Sequence, residues 1–393
     1  MGTTEQPYHI VLAGGGTAGH VNPLLSIATA LKDLDPQVRL SVIGTPIGLE
    51  ARLVPAAGLE IDYIDKVPFP RRPNKAALAF PRRWAQERAK VRKIMEERRP
   101  DLVVGVGGYA AAPAYSVAHS LKIPLVIHEQ NARAGMANRL GVRWADFVGT
   151  VYDDTGIRPG KKTRVQKVGL PLRAVISDMA SRLESDPEGT RSQARRELGL
   201  REDKPLILVT GGSLGALSIN EAVSGAAADL VACAQVLHLT GRGKLDQVEK
   251  TVASLVGGDG SSAKDYRAID YWERMDLAFA AADLIICRSG AGTVAEVSAL
   301  GRPAIYVPLP IGNGEQRLNA EPLVRSGGGI MVADAVFTSD WVRSHVPALV
   351  SDKDRLGAMA RAAWNYGVRD AATVMARRIL DLAASHAASD RLQ

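Results

Sequence analysis

The residues of this chain with chemistry to offer gather around glycine clusters. His20 closes the run Gly14-Gly15-Gly16-Thr17-Ala18-Gly19. A helix N-terminus favours the neutral imidazole that a general base needs, and a loop histidine bonded to backbone is the alternative. Glu296 follows Ser289-Gly290-Ala291-Gly292-Thr293. If Gly290 opens a helix, its N-terminus can hold a diphosphate and Glu296, one turn in, can accept ribose hydroxyls. A first-turn acid that complements the helix dipole is the competing reading. A third patch, Ile127-His128-Glu129-Gln130-Asn131-Ala132-Arg133-Ala134-Gly135, crowds polar groups at the end of an apolar run. Loops of that kind carry function, while His128 itself reads as a satisfied strand histidine.

Each cluster needs an element to aim it. The phosphate-cradling pattern is written twice, as IVLAGGGTAGHVNPL from Ile10 and LILVTGGSLGALSIN from Leu206, each an apolar strand, a glycine turn and an amphipathic helix. Glycines let the backbone approach an anion and point free N–H groups at it. Near-continuous apolar runs alternate with helical patterns throughout: HIVLA, VRLSVIG, LEIDYI, DLVVGVG, PLVIHE and ADFVGTV, then PLILVTG, AQVLHLTG, YRAID, DLIICRSG, PAIYVPL and GGIMVAD. That is the mark of buried parallel strands with crossover helices, so the expected class is α/β with two doubly wound sheets facing a cleft. The polar, glycine- and proline-punctuated stretch Asp153 to Arg173 separates them, with the hinge near Val168 to Arg173. RSQARRELGL reads as an exposed helix leading into the second sheet, Asn22-Pro23 as the start of the first helix, and the last residues as a fraying end.

Composition narrows the function. The chain has 393 residues, long enough for two domains, with 46% hydrophobic residues and only 5% aromatic ones. The low aromatic content argues against a stacking surface for single-stranded nucleic acid. A net charge of +7 asks for an acidic partner. Cys233 and Cys287 sit in apolar runs, which fits inert core thiols in a reducing compartment. The N-terminus has no signal-peptide pattern, and no run of about 18 apolar residues occurs, so membrane contact is expected to be peripheral. The glycine run satisfies G-x-G-x-x-G, but a dinucleotide fold also wants an acid at the end of the second strand. None comes before Glu50, which falls in the following helix. Gly243-Lys244-Leu245 fails as a Walker loop, and no H-x-x-H or CxxC pair suggests a metal. Basic and bulky apolar residues interleave in VPFPRRPNKAALAFPRRW: Phe69, Arg71, Arg72, Lys75, Leu78, Phe80, Arg82, Arg83 and Trp84. This pattern suits an anionic membrane surface or a solvated loop with core anchors, and no nucleic-acid motif accompanies it.

Taken together, GGGTAGHVNPLL, GVGGYAAAPA, IHEQNARAG, VGLPLR, VTGGSLGA, CRSGAGTVAE and GEQRLNAEPL resemble the MurG family of peptidoglycan glycosyltransferases, in family order over nearly the whole chain. The resemblance implies a GT-B fold. An acceptor and membrane domain would span residues 1–170 and a UDP-N-acetylglucosamine domain 171–363, with a helix in 364–393 returning to the first domain. It implies an inverting transfer of N-acetylglucosamine from UDP-GlcNAc to the C4 hydroxyl of MurNAc in undecaprenyl-linked lipid I, giving lipid II, with no metal required. By motif, Thr17, Ala18, Gly19 and Asn131 would face the donor sugar, while Arg173 and Trp272 flank uracil and Ser213 meets phosphate. Ala291, Gly292, Thr293, Val294, Ala295 and Glu296 would hold diphosphate and ribose, with Gln316 and Asn319 on sugar hydroxyls. His20 would be the base and Glu129 a second catalytic-site group, with Gly15, Gly16, Gly108 and Tyr109 at the acceptor. Arg143 would join the membrane face, at the cytoplasmic side of the cell membrane, among cell-wall synthesis and division proteins. Ala18, Leu170, Leu214 and Gly292 depart from the commonest pattern, and Gly292 is expected to loosen the diphosphate loop. A UDP-GlcNAc 2-epimerase of the same architecture is the alternative enzyme, and a membrane scaffold without catalysis the alternative class.

Overall fold

The computed structural model describes residues 7–70, 75–212, 214–256, 262–311 and 314–390. The chain separates into two compact units, Met1–Arg173 with Arg369–Gln393, and Ala174–Val368. The first boundary falls three residues beyond the expected one and the return five beyond.

Unit 1 is built on seven parallel strands: β1 (His9–Ala13), β2 (Arg39–Gly44), β3 (Glu60–Tyr63), β4 (Leu102–Gly105), β5 (Leu125–Glu129), β6 (Phe147–Thr150) and β7 (Arg164–Lys167), in the order β3-β2-β1-β4-β5-β6-β7. Its helices are α1 (Ala18–Leu34), α2 (Glu50–Ala56), α3 (Lys75–Arg98), α4 (Ala111–Leu121) and α5 (Met136–Gly141). Alternation of side chains along each strand feeds two cores at once. Ile10 and Leu12 join one apolar cluster, with Leu24 and Ile27 of α1, while Val11 and Ala13 join the other, with Val91 of α3 and Tyr115 of α4. Burial on both faces is why these strands read as unbroken apolar runs.

Unit 2 holds six parallel strands: β8 (Leu206–Thr210), β9 (Gln235–Leu239), β10 (Tyr266–Ile269), β11 (Leu284–Cys287), β12 (Ala304–Tyr306) and β13 (Gly329–Met331), ordered β10-β9-β8-β11-β12-β13. Around them lie α6 (Ala174–Ser185), α7 (Pro187–Glu197), α8 (Leu217–Ser224), α9 (Ala227–Cys233), α10 (Leu245–Val256), α11 (Met275–Ala281), α12 (Ala291–Ala299), α13 (Glu315–Arg325), α14 (Ser339–Ser351) and α15 (Lys353–Tyr366). The final helix, α16 (Ala371–Asp390), belongs to unit 1: it packs on α1, and Met375, Ala376, Ile379 and Ala383 are buried in the core that contains Ile10. Helix persists through Asp390, where a fraying end was expected.

Three further expectations change. The polar stretch before the hinge contains β7, an edge strand paired only with β6 and largely exposed, so it lacks a buried strand's apolar run. The RSQARRELGL helix, α7, is not exposed all round. Arg195 is buried, its guanidinium donating to the carbonyls of Ala281, Arg201, Glu202 and Lys204 and pairing with Asp283 at 2.5 Å. Helix α1 starts at Ala18 with Thr17 as its N-cap, leaving Pro23 inside the helix. His20 therefore stands on the first helical turn instead of preceding it.

Candidate active site

In both sheets the strand order reverses once, between β1 and β4 in unit 1 and between β8 and β11 in unit 2. Open α/β sheets bind ligands at the carboxyl ends of the strands beside such a reversal. The glycine clusters occupy those positions.

In unit 1 a cavity of about 490 Å³ is lined by Gly15, Gly16, Thr17 and His20 after β1, Gly107, Gly108 and Tyr109 after β4, and Glu129, Asn131 and Gly135 to Asn138 after β5, with Val67 to Phe69 at one side. The two glycine loops touch backbone to backbone. A Cβ on Gly108, whose φ is +90°, would lie 2.3 Å from the Gly15 carbonyl oxygen. Ala18 and Gly19, expected on the donor side, form the first residues of α1. His20 is half-buried, its Nδ1 3.1 Å from Thr17 Oγ1. Burial pushes its imidazole below the ordinary value of 6.5, against a smaller upward pull from the Glu50 carboxylate. Desolvation, not the helix N-terminus, is the leading cause.

Glu129 is turned inward. Its oxygens accept from Asn131 N at 2.9 Å, Gly135 N at 3.1 Å and Asn138 Nδ2 at 2.8 Å, so the carboxylate organises the turn after β5. Burial raises its pKa against those bonds. Beneath it, Asn138 Nδ2 also donates to the His128 carbonyl, and Asn138 Oδ1 accepts from the Tyr115 hydroxyl, which in turn accepts from Gly107 N. One buried polar chain thus ties the β4 and β5 loops together. His128 is fully buried, bonded through Nε2 to Gly169 O, with its pKa lowered by burial to about 4. It is the satisfied strand histidine expected.

Sequence reasoning passed over Glu50, Lys66, Tyr115 and Asn138. Lys66 Nζ lies 4.0 Å from the centre of the Tyr109 ring at the cavity's edge. Glu50 is fully buried and reaches back to Gly16 N at 2.7 Å.

In unit 2, Gly215 after β8 and Gly241 after β9 meet so closely that a Cβ on Gly215 would lie 2.0 Å from the Thr240 oxygen. Lys244 Nζ donates to Leu214 O at 2.7 Å, while the Leu214 side chain is 81% exposed. After β11, Gly290 is the N-cap of α12 with no side-chain cap, and a Cβ at Gly290 or Gly292 would meet nothing within 4 Å. Open space therefore lies beside the first residues of α12, whose N-cap contributes no side-chain bond, an arrangement an anion can use. Gly292 is the second residue of α12 instead of part of a loop, so its expected loosening effect falls on the first helical turn. Ala291 through Glu296 occupy the first two turns. Gln316 Oε1 accepts from Leu309 N at 3.0 Å, and buried Asn319 donates to Ser289 O at 3.4 Å, bracing the loop before α12. Trp272, after β10, holds Arg267 against its ring, 5.6 Å from the centre, and Arg173 is the last residue of unit 1 before the crossing. Ser213, Arg71 and Arg72 lie outside the described residues, as does the side chain of Lys75.

On the remaining candidate surface, Phe69, Phe80 and Trp84 pack together with ring centres 5.6–5.7 Å apart. Leu78 is 85% exposed, and Arg82, Arg83 and Arg143 are exposed. No helix among the described residues is long and apolar enough to cross a membrane.

Residues 10–150 match the glycosyltransferase family 28 N-terminal domain and residues 206–375 its C-terminal domain. The chain belongs to glycosyltransferase family 28. It is 58% identical over 382 residues to a Bifidobacterium adolescentis UDP-N-acetylglucosamine--N-acetylmuramyl-(pentapeptide) pyrophosphoryl-undecaprenol N-acetylglucosamine transferase, covering 95% of this chain and 97% of the relative. It is 48% identical to the Mycobacterium bovis protein of the same description, covering 95% and 89%. The Acinetobacter baumannii MurG crystal structure superposes with a TM-score of 0.75 at 29% identity, over 95% of this chain and all of that one. A Neisseria meningitidis UDP-GlcNAc 2-epimerase shares the architecture at TM-score 0.66 and 16% identity, a likeness of fold alone. The family 28 architecture is the GT-B pair of Rossmann-like units laid out above.

Proposed function

We propose that this chain transfers N-acetylglucosamine from UDP-GlcNAc to the C4 hydroxyl of the MurNAc in undecaprenyl-pyrophosphoryl-MurNAc-pentapeptide, converting lipid I to lipid II with inversion. The observation that carries the reading is the 58% identity to a transferase of that description, spread over 95% of the chain and both units. The unit 1 cavity takes the acceptor, with Gly15, Gly16, Gly108 and Tyr109 at its wall. Thr17 Oγ1 engages His20 Nδ1, leaving Nε2 to accept the hydroxyl proton as the C4 oxygen bonds to the anomeric carbon. The bond from that carbon to the UDP β-phosphate oxygen breaks in the same step. Negative charge then develops on the departing diphosphate, where the open N-terminus of α12 stabilises it, and Glu296 takes the ribose hydroxyls. Glu129 acts by positioning the loop that carries Asn131.

The enzyme works at the cytoplasmic face of the cell membrane, held by Leu78 and the arginines around the Phe69–Phe80–Trp84 cluster against anionic headgroups. Proteins of cell-wall synthesis and division are the partners this reading expects. Radiolabelled UDP-GlcNAc mixed with a lipid I analogue tests the reading: a lipid-linked disaccharide is expected. Unreacted donor in that mixture, or epimerised sugar nucleotide from donor alone, overturns it.

A further inference from the structure

Among the described residues, the one fully buried carboxylate packed against the β1 glycine loop is Glu50, and neither family role nor sequence pattern assigns it a task. As the first residue of α2 it is placed to complement that helix's dipole. Its oxygens go elsewhere: Oε2 accepts from Gly16 N at 2.7 Å, and Oε1 accepts from Thr45 N at 3.0 Å and Thr45 Oγ1 at 2.7 Å. The amides of α2 are served instead by backbone carbonyls, Ala51 N by Gly48 O and Arg52 N by Leu49 O. Three glycines make room for the side chain. A Cβ on Gly15 would lie 2.2 Å from its Cδ, one on Gly48 2.0 Å from Oε2, and one on Gly44 2.8 Å from Cγ. An acid built into a cage of glycines, with three donors aimed at it, is placed for more than surface solvation.

From Glu50 the contacts run in one direction. Gly16 is bonded to it, and the adjoining Thr17 accepts from His20 N at 3.0 Å and meets His20 Nδ1 with its hydroxyl. On the opposite side Gly15 is held by Gly108. We propose that Glu50 is a positioning residue for glycosyl transfer: it locks the Gly15–Thr17 turn, and through it the Thr17–His20 pair, in the arrangement that takes the acceptor proton. The inference rests on the transferase reading given above. The carboxylate's charge also favours the imidazolium that forms as the proton arrives. Among the described residues, the other charged or titratable groups of this cavity are Tyr109 and Glu129 on its wall, with Lys66 against Tyr109.

Glu50→Gln is the test. It keeps the volume but offers one carbonyl oxygen where two oxygens accept, so an NH2 group must face either Gly16 N–H or the Thr45 donors. Measured with UDP-GlcNAc and a lipid I analogue, kcat should fall about 10- to 100-fold, the range expected for a displaced catalytic group, with the KM for UDP-GlcNAc unchanged. The acidic limb of the pH profile should move to lower pH, because the Glu50 charge is what pulls the His20 pKa upward. Wild-type turnover and an unmoved limb in a folded Glu50→Gln protein overturn the proposal, as does a fall in kcat matched by an equal rise in donor KM. If that variant does not fold, Thr45→Val removes one hydroxyl bond at nearly constant volume. It should lower kcat several-fold at constant donor KM, and wild-type kcat overturns the proposal there too. Absence of transfer by the unmutated enzyme would instead sink the transferase reading, so the two failures are distinguishable.

Discussion

Gly108→Ala isolates what the contact between the two unit 1 glycine loops contributes. The new Cβ would lie 2.3 Å from Gly15 O, 3.0 Å from Gly15 N and 3.2 Å from Gly15 C, all backbone atoms that no rotamer change can withdraw. Restoring ordinary van der Waals separation requires one loop to move by about 1 Å. The left-handed φ of +90° adds strain of about 1–2 kcal/mol for any residue with a Cβ. A shift of about 1 Å at the reacting groups costs roughly 100-fold in rate, or about 2.7 kcal/mol of barrier. Gly58→Ala is the control, since Gly58 also has positive φ, +72°, but a Cβ there meets nothing within 4 Å. Steady-state transfer to a lipid I analogue and calorimetric titration with UDP read the two effects separately. Gly108→Ala should lose about two orders of magnitude in kcat and keep its UDP affinity, whereas Gly58→Ala should lose only about 1 kcal/mol of stability. Wild-type turnover in Gly108→Ala, an equal loss in Gly58→Ala, or a parallel collapse of UDP binding would refute the reasoning.

The other predictions concern charge and surface. His20→Ala should reduce kcat by about 100- to 10,000-fold while leaving UDP binding intact. Because burial lowers the His20 pKa, kcat/KM of the unmutated enzyme should rise with pH through a limb centred below 6.5; a limb centred above 6.5 contradicts the assignment. Glu296→Ala should weaken UDP binding by about 10-fold in a calorimetric titration, the loss of one charge-assisted hydrogen bond to ribose, and unaltered affinity removes that role. Leu78→Glu places a charge on an 85% exposed apolar side chain, and co-sedimentation with anionic vesicles should drop several-fold while transfer to a soluble acceptor analogue stays constant. Equal sedimentation would detach α3 from the membrane reading.

The strands were legible because they are buried on both faces. Ile10 to Ala13 feeds two cores and leaves no polar position to interrupt the run. The same logic hid β7, whose exposed residues from Arg164 carry no apolar signature. The start of α1 was misplaced because Asn22-Pro23 is a strong local signal, while the side chain of the actual cap, Thr17, makes no capping bond to the helix amides. Arg195 read as a solvated charge, since its partner Asp283 is 88 positions away. At the site, glycines and strand-end polar residues marked the loops, because those requirements are local. Glu50 and Asn138 were not marked: each acts on a loop contributed by another segment, and the contact exists only once the sheet has formed.

Helix α16 gives the order of assembly an unusual constraint. The ribosome delivers β1 to β7 before unit 2, yet the apolar face that Ile10, Leu12 and Leu24 share is closed by Met375, Ala376, Ile379 and Ala383, which are made after all of unit 2. Unit 2 is uninterrupted in sequence and can complete its own core as it emerges, while unit 1 waits for all of unit 2 with part of its hydrophobic surface uncovered. The half begun first is therefore finished after the other, and during synthesis nascent unit 1 is the part most dependent on protection from aggregation.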